Sequence, residues 1–296
     1  MNDKSKSERI VSMMADEKIA MLTAYDYSMA GIESQKGIDM ILVGDSAHFI
    51  LNGRNTTRGI TMNEMTTLAE RVCNGVRDYG GYSLVVGDLP DGSYGNVKDA
   101  VANAKEYWDV GVDAVKLEGG IEKPYLNKVI QAIIREGIPV QGHIGYTPQS
   151  KSHVDRGHVQ GKTQEGIQKI LEDYSFLTEA GVFSVVLECV PYQVSQLITE
   201  SAQVPSIGIG AGPYCHGQVL VVYDFLGLSP GTCGQVGKMP KFVWGYNDCD
   251  APTAIERYVK AVKGGEMPDL AHSYKLSDTC LLDKFRSKNF SFIAQV

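Results

Sequence analysis

The chain has 296 residues, of which 43% are apolar and 21% charged, and it carries a net charge of -7. That is the composition of a globular protein with a substantial core, and its acidic balance leaves no electrostatic footprint for nucleic acid. No run of eighteen uninterrupted apolar residues is present for a membrane span, and the first twenty residues lack the apolar core and cleavage site of a secretory signal.

Taken in order, the pattern predicts an opening helix over 5–16, with Ile10, Val11, Met13 and Met14 on its apolar side. Residues 19–24 read as a first buried strand, 28–35 as a helix and 40–43 as a second strand. A loop rich in Gly, Asn and Thr fills 48–60. Thr61 is then the expected N-cap of a helix, with Glu64 three residues on to complete a capping box. Strands follow at 84–86, 114–117, 139–143, 184–187, 206–209 and 219–222, and helices at 97–109, 125–136, 163–180 and 194–200. After about residue 230 the pattern becomes irregular until a last helix near 253–263, which reads as a wrapping tail.

The strand segments are short β-branched runs rather than polar–apolar alternations, which indicates burial on both faces, as in a parallel sheet. Eight of them with helices between predict a single (β/α)8 TIM barrel domain over 1–296; an open doubly wound sheet is the alternative, since periodicity does not show closure. The six cysteines, Cys73, Cys189, Cys215, Cys233, Cys249 and Cys280, have no metal-type spacing. Free thiols in a reducing cytoplasm are expected, without zinc or a disulfide framework.

In a barrel, chemistry gathers at the C-terminal strand ends. Asp45, Asp88, Lys116, Glu118, His143 and Glu188 all fall there. Each acid taken alone reads as a turn or cap residue, but three at successive strand ends, Asp45, Asp88 and Glu118, read as oxygen ligands for a hard ion such as Mg²⁺. Asp26 also follows a strand and is left outside that set. Lys116 lies two residues before Glu118, so both point to one face; the pair is either an internal ion pair or a cation for substrate carboxylate beside a metal ligand. His143 reads equally as a satisfied structural histidine. Glu188, directly after Val-Val-Leu, is expected to be desolvated and suited to general-base work. Cys189 beside it is a small buried filler, and 208–213 is a Gly-rich strand end rather than a dinucleotide loop.

Together these words resemble the ketopantoate hydroxymethyltransferase family. The resemblance rests on Leu22-Thr23-Ala24-Tyr25-Asp26-Tyr27, Val43-Gly44-Asp45-Ser46, Gly87-Asp88-Leu89-Pro90, Val115-Lys116-Leu117-Glu118-Gly119-Gly120 and Gly142-His143-Ile144-Gly145. It continues through Thr147-Pro148-Gln149-Ser150, Leu187-Glu188-Cys189-Val190-Pro191, Gly208-Ile209-Gly210-Ala211-Gly212 and Pro240-Lys241-Phe242. It implies a barrel of the phosphoenolpyruvate/pyruvate superfamily, a cytoplasmic homo-oligomer (a decamer in the family), and hydroxymethyl transfer from 5,10-methylenetetrahydrofolate to C3 of a 2-oxo acid. By position it implies Asp45 and Asp88 as Mg²⁺ ligands, with Glu118 binding directly or through water. Ser46 and Lys116 would bind the 2-oxo acid carboxylate and Glu188 would be the base, with His143 orienting the enolate or assisting a later proton transfer.

Several loop positions depart from the family pattern, among them His48, Arg54, Arg58, Asp91, Tyr146 and Arg156. Drift on exposed loops is one account. The other is an acceptor more polar than 3-methyl-2-oxobutanoate, read by His48, Arg54, Arg58, Tyr146 or Arg156, because polar groups buried against an apolar substrate would be left unpaired. Two further alternatives are a folate-independent, Mg²⁺-dependent aldolase or lyase of the superfamily, and a barrel without activity.

Overall fold

The computed structural model describes residues 4–149, 159–229, 239–246 and 248–286. The β-branched runs form β1 (Ile19–Thr23), β2 (Met40–Val43), β3 (Leu84–Asp88), β4 (Ala114–Glu118), β5 (Val140–Gly145), β6 (Ser184–Glu188), β7 (Ser206–Ile209) and β8 (Gly217–Leu220). All pair in parallel and in chain order, and β8 closes on β1 through Ile19 opposite Gly217 and Leu22 opposite Leu220. Closure removes the open-sheet alternative. The helices are α1 (Lys4–Met13), α2 (Tyr27–Gln35), α3 (Ala47–Ile50), α4 (Met62–Asp78), α5 (Val97–Asp109), α6 (Tyr125–Arg135), α7 (Gln164–Ala180), α8 (Tyr192–Glu200), α9 (Val222–Phe225), α10 (Ala251–Lys263) and α11 (Asp283–Arg286). None among the described residues is long and apolar enough to cross a membrane.

Burial on both strand faces has a simple cause. One apolar cluster fills the barrel, with Ile19, Met21, Met40, Leu42, Leu84, Val86, Val186, Ile207 and Val219. A second, larger one lies between strands and helices and holds Ala20, Leu22, Ile41, Val85, Val115 and Leu187. Neighbours along a strand therefore serve different cores, and both must be apolar.

Helix α1 closes the N-terminal end. Its Ile10 and Met13 join the inner cluster. Lys6 pairs with Asp113 at 2.8 Å and Arg9 with Asp39 at 3.5 Å. Those two acids in turn accept from the backbone N–H groups of Val85 and Ala20, so the plug is bonded to the strand starts. The opposite, C-terminal mouth is left for chemistry.

Several boundaries differ from expectation. Helix α1 ends at Met13, because residues 14–16 turn towards β1. Strand β8 starts at Gly217 rather than Val219; the glycine is required, since a Cβ there would lie 2.6 Å from the Ile19 carbonyl oxygen. The wrapping tail contains the helix that completes the ring. In α10, capped by Asp250, the Tyr258 hydroxyl reaches the Met21 and Gln218 carbonyls at 2.9 Å each, on β1 and β8. The expected capping box at Thr61 is present, with Thr61 N–H donating to Glu64 at 2.8 Å and Glu64 N–H to the Thr61 hydroxyl at 3.2 Å.

Glu33 of α2 is fully buried, and neither carboxyl oxygen has a hydrogen-bond partner. Burial, with Asp26 adding repulsion, raises its pKa well above the ordinary value. The native state thus keeps a proton that the unfolded chain loses above about pH 4.3, so stability falls as pH rises beyond that point. Glu33→Met should be more stable than wild type by about 1–3 kcal/mol, with the gap in Tm widening between acid and alkaline buffers. A gap that closes with rising pH would show that Glu33 has a partner.

Candidate active site

Strand register sets the site. Asp88 on β3 stands opposite Lys116 on β4, Glu118 opposite His143 on β5, and Gly145 opposite Glu188 on β6. Strands β3, β4 and β6 each run far enough to include their carboxylate, one or two residues beyond the expected ends. Asp45 follows β2 after Gly44.

Two linked groups result. The Lys116 ammonium lies 2.7 Å from Asp88 Oδ2, with both side chains nearly sealed from solvent. The same oxygen accepts from the Asp45 backbone N–H at 3.4 Å. Next to this pair, His143 lies between two acids, its Nδ1 3.2 Å from Glu118 Oε2 and its Nε2 3.1 Å from Glu188 Oε2. Neither contact has the angles of a hydrogen bond, so His143 is held by charge in a loose clasp.

The electrostatics follow from burial. For Asp88 burial dominates and, with Asp45 and Glu118 adding repulsion, raises its pKa to about 7 despite the pull of Lys116. Burial opposes the Lys116 charge, yet Asp88, Asp45 and Glu118 together raise it above the ordinary lysine value. Burial and Lys116 both oppose a charged His143, and Glu118 and Glu188 outweigh them, raising it to about 9. Glu188 is less desolvated than its sequence context implied: its side chain is 18% exposed, facing the mouth beside His143.

The residues present fit a hard divalent cation. Asp88 Oδ1 is buried and has no hydrogen-bond partner, a carboxylate oxygen with nothing to satisfy it. Four carboxylates (Asp45, Asp88, Glu118 and Glu188) face two cationic groups, and a divalent ion has the charge to balance the difference. Among the described residues no three acidic, His or Cys side chains converge as a ready cage. Glu118 is instead drawn to His143 and to the backbone N–H of Gln149. Asp45 and Asp88 with waters are a set that Mg²⁺ accepts, and Glu118 would act directly or through water.

Ser46 starts α3, and its hydroxyl is 2.8 Å from that of buried Tyr25. Asp26 has the plain role of α2 N-cap, accepting from Met29 N–H at 2.9 Å. Gly145 has φ +94°, and a Cβ there would lie 2.2 Å from the Glu188 carbonyl oxygen. Only glycine lets β5 approach β6 so closely, and Tyr146 N–H then donates to that carbonyl at 2.8 Å. Cys189 is buried with φ +51°, a strained position directly after Glu188. Gly210, at the end of β7, also has positive φ, and a Cβ there would lie 2.9 Å from the Phe242 ring, so this glycine-rich end serves packing.

Sequence reasoning missed Gln149 and Tyr94. Gln149 lay inside a quoted motif without a role, and nothing local marked Tyr94. Both are buried beside the acids. A cavity of about 600 Å³ adjoins them, lined by Gln149, Arg58, Asp91, Lys123, Tyr125 and Tyr146 among others. Arg58 pairs with Asp91 at 3.0 Å, and His48 Nδ1 lies 3.1 Å from the Asn52 amide. For Arg54 the structure gives a backbone hydrogen bond to the His48 carbonyl. Arg156, Ser150 and Cys233 lie outside the described residues. None of the other five cysteines is in a disulfide.

The family model described as ketopantoate hydroxymethyltransferase matches residues 4–270. Proteins named 3-methyl-2-oxobutanoate hydroxymethyltransferase are similar along most of their length. The one from Clostridium kluyveri is 44% identical over 273 residues, 91% of this chain and 92% of the relative. The one from Ignicoccus hospitalis is 44% identical, covering 85% and 92%. Solved structures share the barrel at low identity. A phosphonopyruvate hydrolase matches with TM-score 0.58 and 11% identity, covering 75% of this chain and 80% of that one. A 2,3-dimethylmalate lyase, described as a PEP mutase/isocitrate lyase superfamily member, matches with TM-score 0.51 and 18% identity, covering 74% and 81%.

Proposed function

The chain belongs to the ketopantoate hydroxymethyltransferase family, and from that membership we propose transfer of a hydroxymethyl group from 5,10-methylenetetrahydrofolate to C3 of 3-methyl-2-oxobutanoate, giving 2-dehydropantoate. The observation that carries the chemistry is the pair of groups at one mouth: Asp88–Lys116 beside Asp45, and Glu118–His143–Glu188 next to them.

Asp45 and Asp88 would hold Mg²⁺, with Glu118 direct or through water. When bound, the ion supplies Lewis-acid stabilisation of negative charge on a 2-oxo group, worth several kcal/mol. Lys116 and Ser46 bind the carboxylate of the acid, the lysine keeping spare donors beyond the one given to Asp88. Glu188, open enough to meet substrate, takes the C3 proton. His143 holds the Glu188 carboxylate towards the mouth. C3 then bonds to the one-carbon unit, water supplies the hydroxyl oxygen, and tetrahydrofolate leaves.

The divergent loop residues support an ordinary acceptor over a more polar one. Arg58 already has Asp91, and His48 already has Asn52, so these two added polar groups are answered within the protein. The test is deuterium exchange at C3 of a panel of 2-oxo acids, followed by NMR with Mg²⁺ and with chelator. Metal-dependent exchange confined to 3-methyl-2-oxobutanoate is expected. Preference for a polar acid would replace the acceptor, and no exchange on any acid would overturn the reaction class. Turnover that never requires folate would favour the lyase alternative.

A further inference from the structure

Gln149 sits where the two groups of acids meet. Its side-chain amide nitrogen donates to Asp45 Oδ2 at 3.0 Å and to the Leu89 carbonyl at 3.1 Å. Its amide oxygen accepts from the Tyr94 hydroxyl at 2.8 Å, and its backbone N–H donates to Glu118 Oε1. Gln149 and Tyr94 are 2% and 3% exposed.

The orientation of the amide is fixed by chemistry. A carboxylate and a backbone carbonyl can only accept, so the NH₂ end must face Asp45 and Leu89. The oxygen end then needs a donor, and Tyr94 supplies it. That hydroxyl also lies 3.2 Å from the Glu118 carbonyl oxygen. One residue therefore occupies one oxygen of Asp45 and one of Glu118, on elements far apart in sequence, while Asp88 Oδ1 stays unoccupied. Fixing one oxygen of a carboxylate fixes its plane, which leaves the second oxygen of Asp45 for the cation and keeps that of Glu118 turned to His143.

We propose that Gln149 is the positioning residue for the divalent cation, holding Asp45 and Glu118 in register, and that Tyr94 locks its amide. The inference rests on Mg²⁺ binding at Asp45 and Asp88. Hydrogen-bond partners of metal ligands typically contribute about 10–100-fold in metal affinity.

The test uses Mn²⁺ as the probe, with free ion measured by EPR against wild type, Gln149→Met, Tyr94→Phe and Gln196→Met on the exposed face of α8. Gln149→Met should raise the Kd by about 10–100-fold. Tyr94→Phe, which keeps the ring and loses one hydrogen bond, should raise it by about fivefold. Gln196→Met should not change it. Turnover of Gln149→Met should return towards wild type at saturating Mg²⁺, which a collapsed site would not allow. Should Gln149→Met fail to fold, Tyr94→Phe carries the test alone. Wild-type Kd in the variants overturns the role of Gln149 and leaves the metal site standing. Wild type that binds no Mn²⁺ overturns both.

Discussion

Glu188→Gln should slow deuterium exchange at C3 of 3-methyl-2-oxobutanoate by about 10²–10⁴-fold, the usual contribution of a positioned general base. The substitution keeps size and shape but removes the lone pair basicity that receives the proton. Binding of the acid should change little, because Lys116 and Ser46 lie on β4 and after β2, away from Glu188 on β6. The signature is a fall in the exchange rate with a nearly constant Kd for the acid. A second readout is independent of turnover. His143 is raised to about 9 because Glu118 and Glu188 outweigh burial and Lys116. With Glu188 neutral, one of those two supports is gone, and the imidazole should titrate at lower pH by NMR. Exchange within tenfold of wild type, with His143 shifted as expected, would mean that the charge of Glu188 is real but its base role is not. The base would then have to be sought at Glu118 or His143.

The barrel and its mouth were legible in the sequence because burial and chemistry leave opposite marks. A strand buried on both faces must be apolar throughout, so a charged residue at its end stands out, and Asp88, Lys116, Glu118 and Glu188 were found that way. What was hidden depended on contacts between distant segments. Gln149 is a loop glutamine by any local measure, and its importance comes from Asp45, 104 positions away in sequence. Tyr94 has the same character. Helix α10 was foreseen near 253–263 but read as part of a wrapping tail, because the contacts of Tyr258 that tie it to β1 and β8 span 237 and 40 positions. Strand β8 begins at Gly217 rather than Val219, a residue with poor strand propensity that is needed because Ile19 leaves no room for a side chain. The exposure of Glu188 also escaped, since an apolar run predicts the burial of its strand but not the shape of the mouth above it.

Lys116→Met should be the most damaging single change to the metal-free protein, lowering stability by about 3–5 kcal/mol as expected when one partner of a buried pair is removed. The methionine fills much of the same volume, so the effect is electrostatic rather than a cavity. It leaves Asp88 buried beside Asp45 and Glu118 with its nearest compensating charge gone. The sign of the pH dependence follows. Asp88 already titrates at about 7 in the folded protein because burial and its acidic neighbours outweigh Lys116. That is above its unfolded value of about 3.9, so it withdraws stability as pH rises from there through 7. Without the lysine the folded value climbs further and the withdrawal continues to higher pH. The Tm difference between wild type and Lys116→Met, measured with chelator, should therefore widen as pH passes through 7. Well below 7, where Asp88 is protonated in the folded state of both proteins, its share of the loss disappears. Added Mg²⁺ should recover part of the loss, because a cation at Asp45 and Asp88 replaces the missing charge, while binding of the 2-oxo acid stays weak for want of the ammonium. A Tm loss that is constant across pH would indicate that Lys116 contributes packing, and that the repulsion among Asp45, Asp88 and Glu118 is relieved by something other than the lysine.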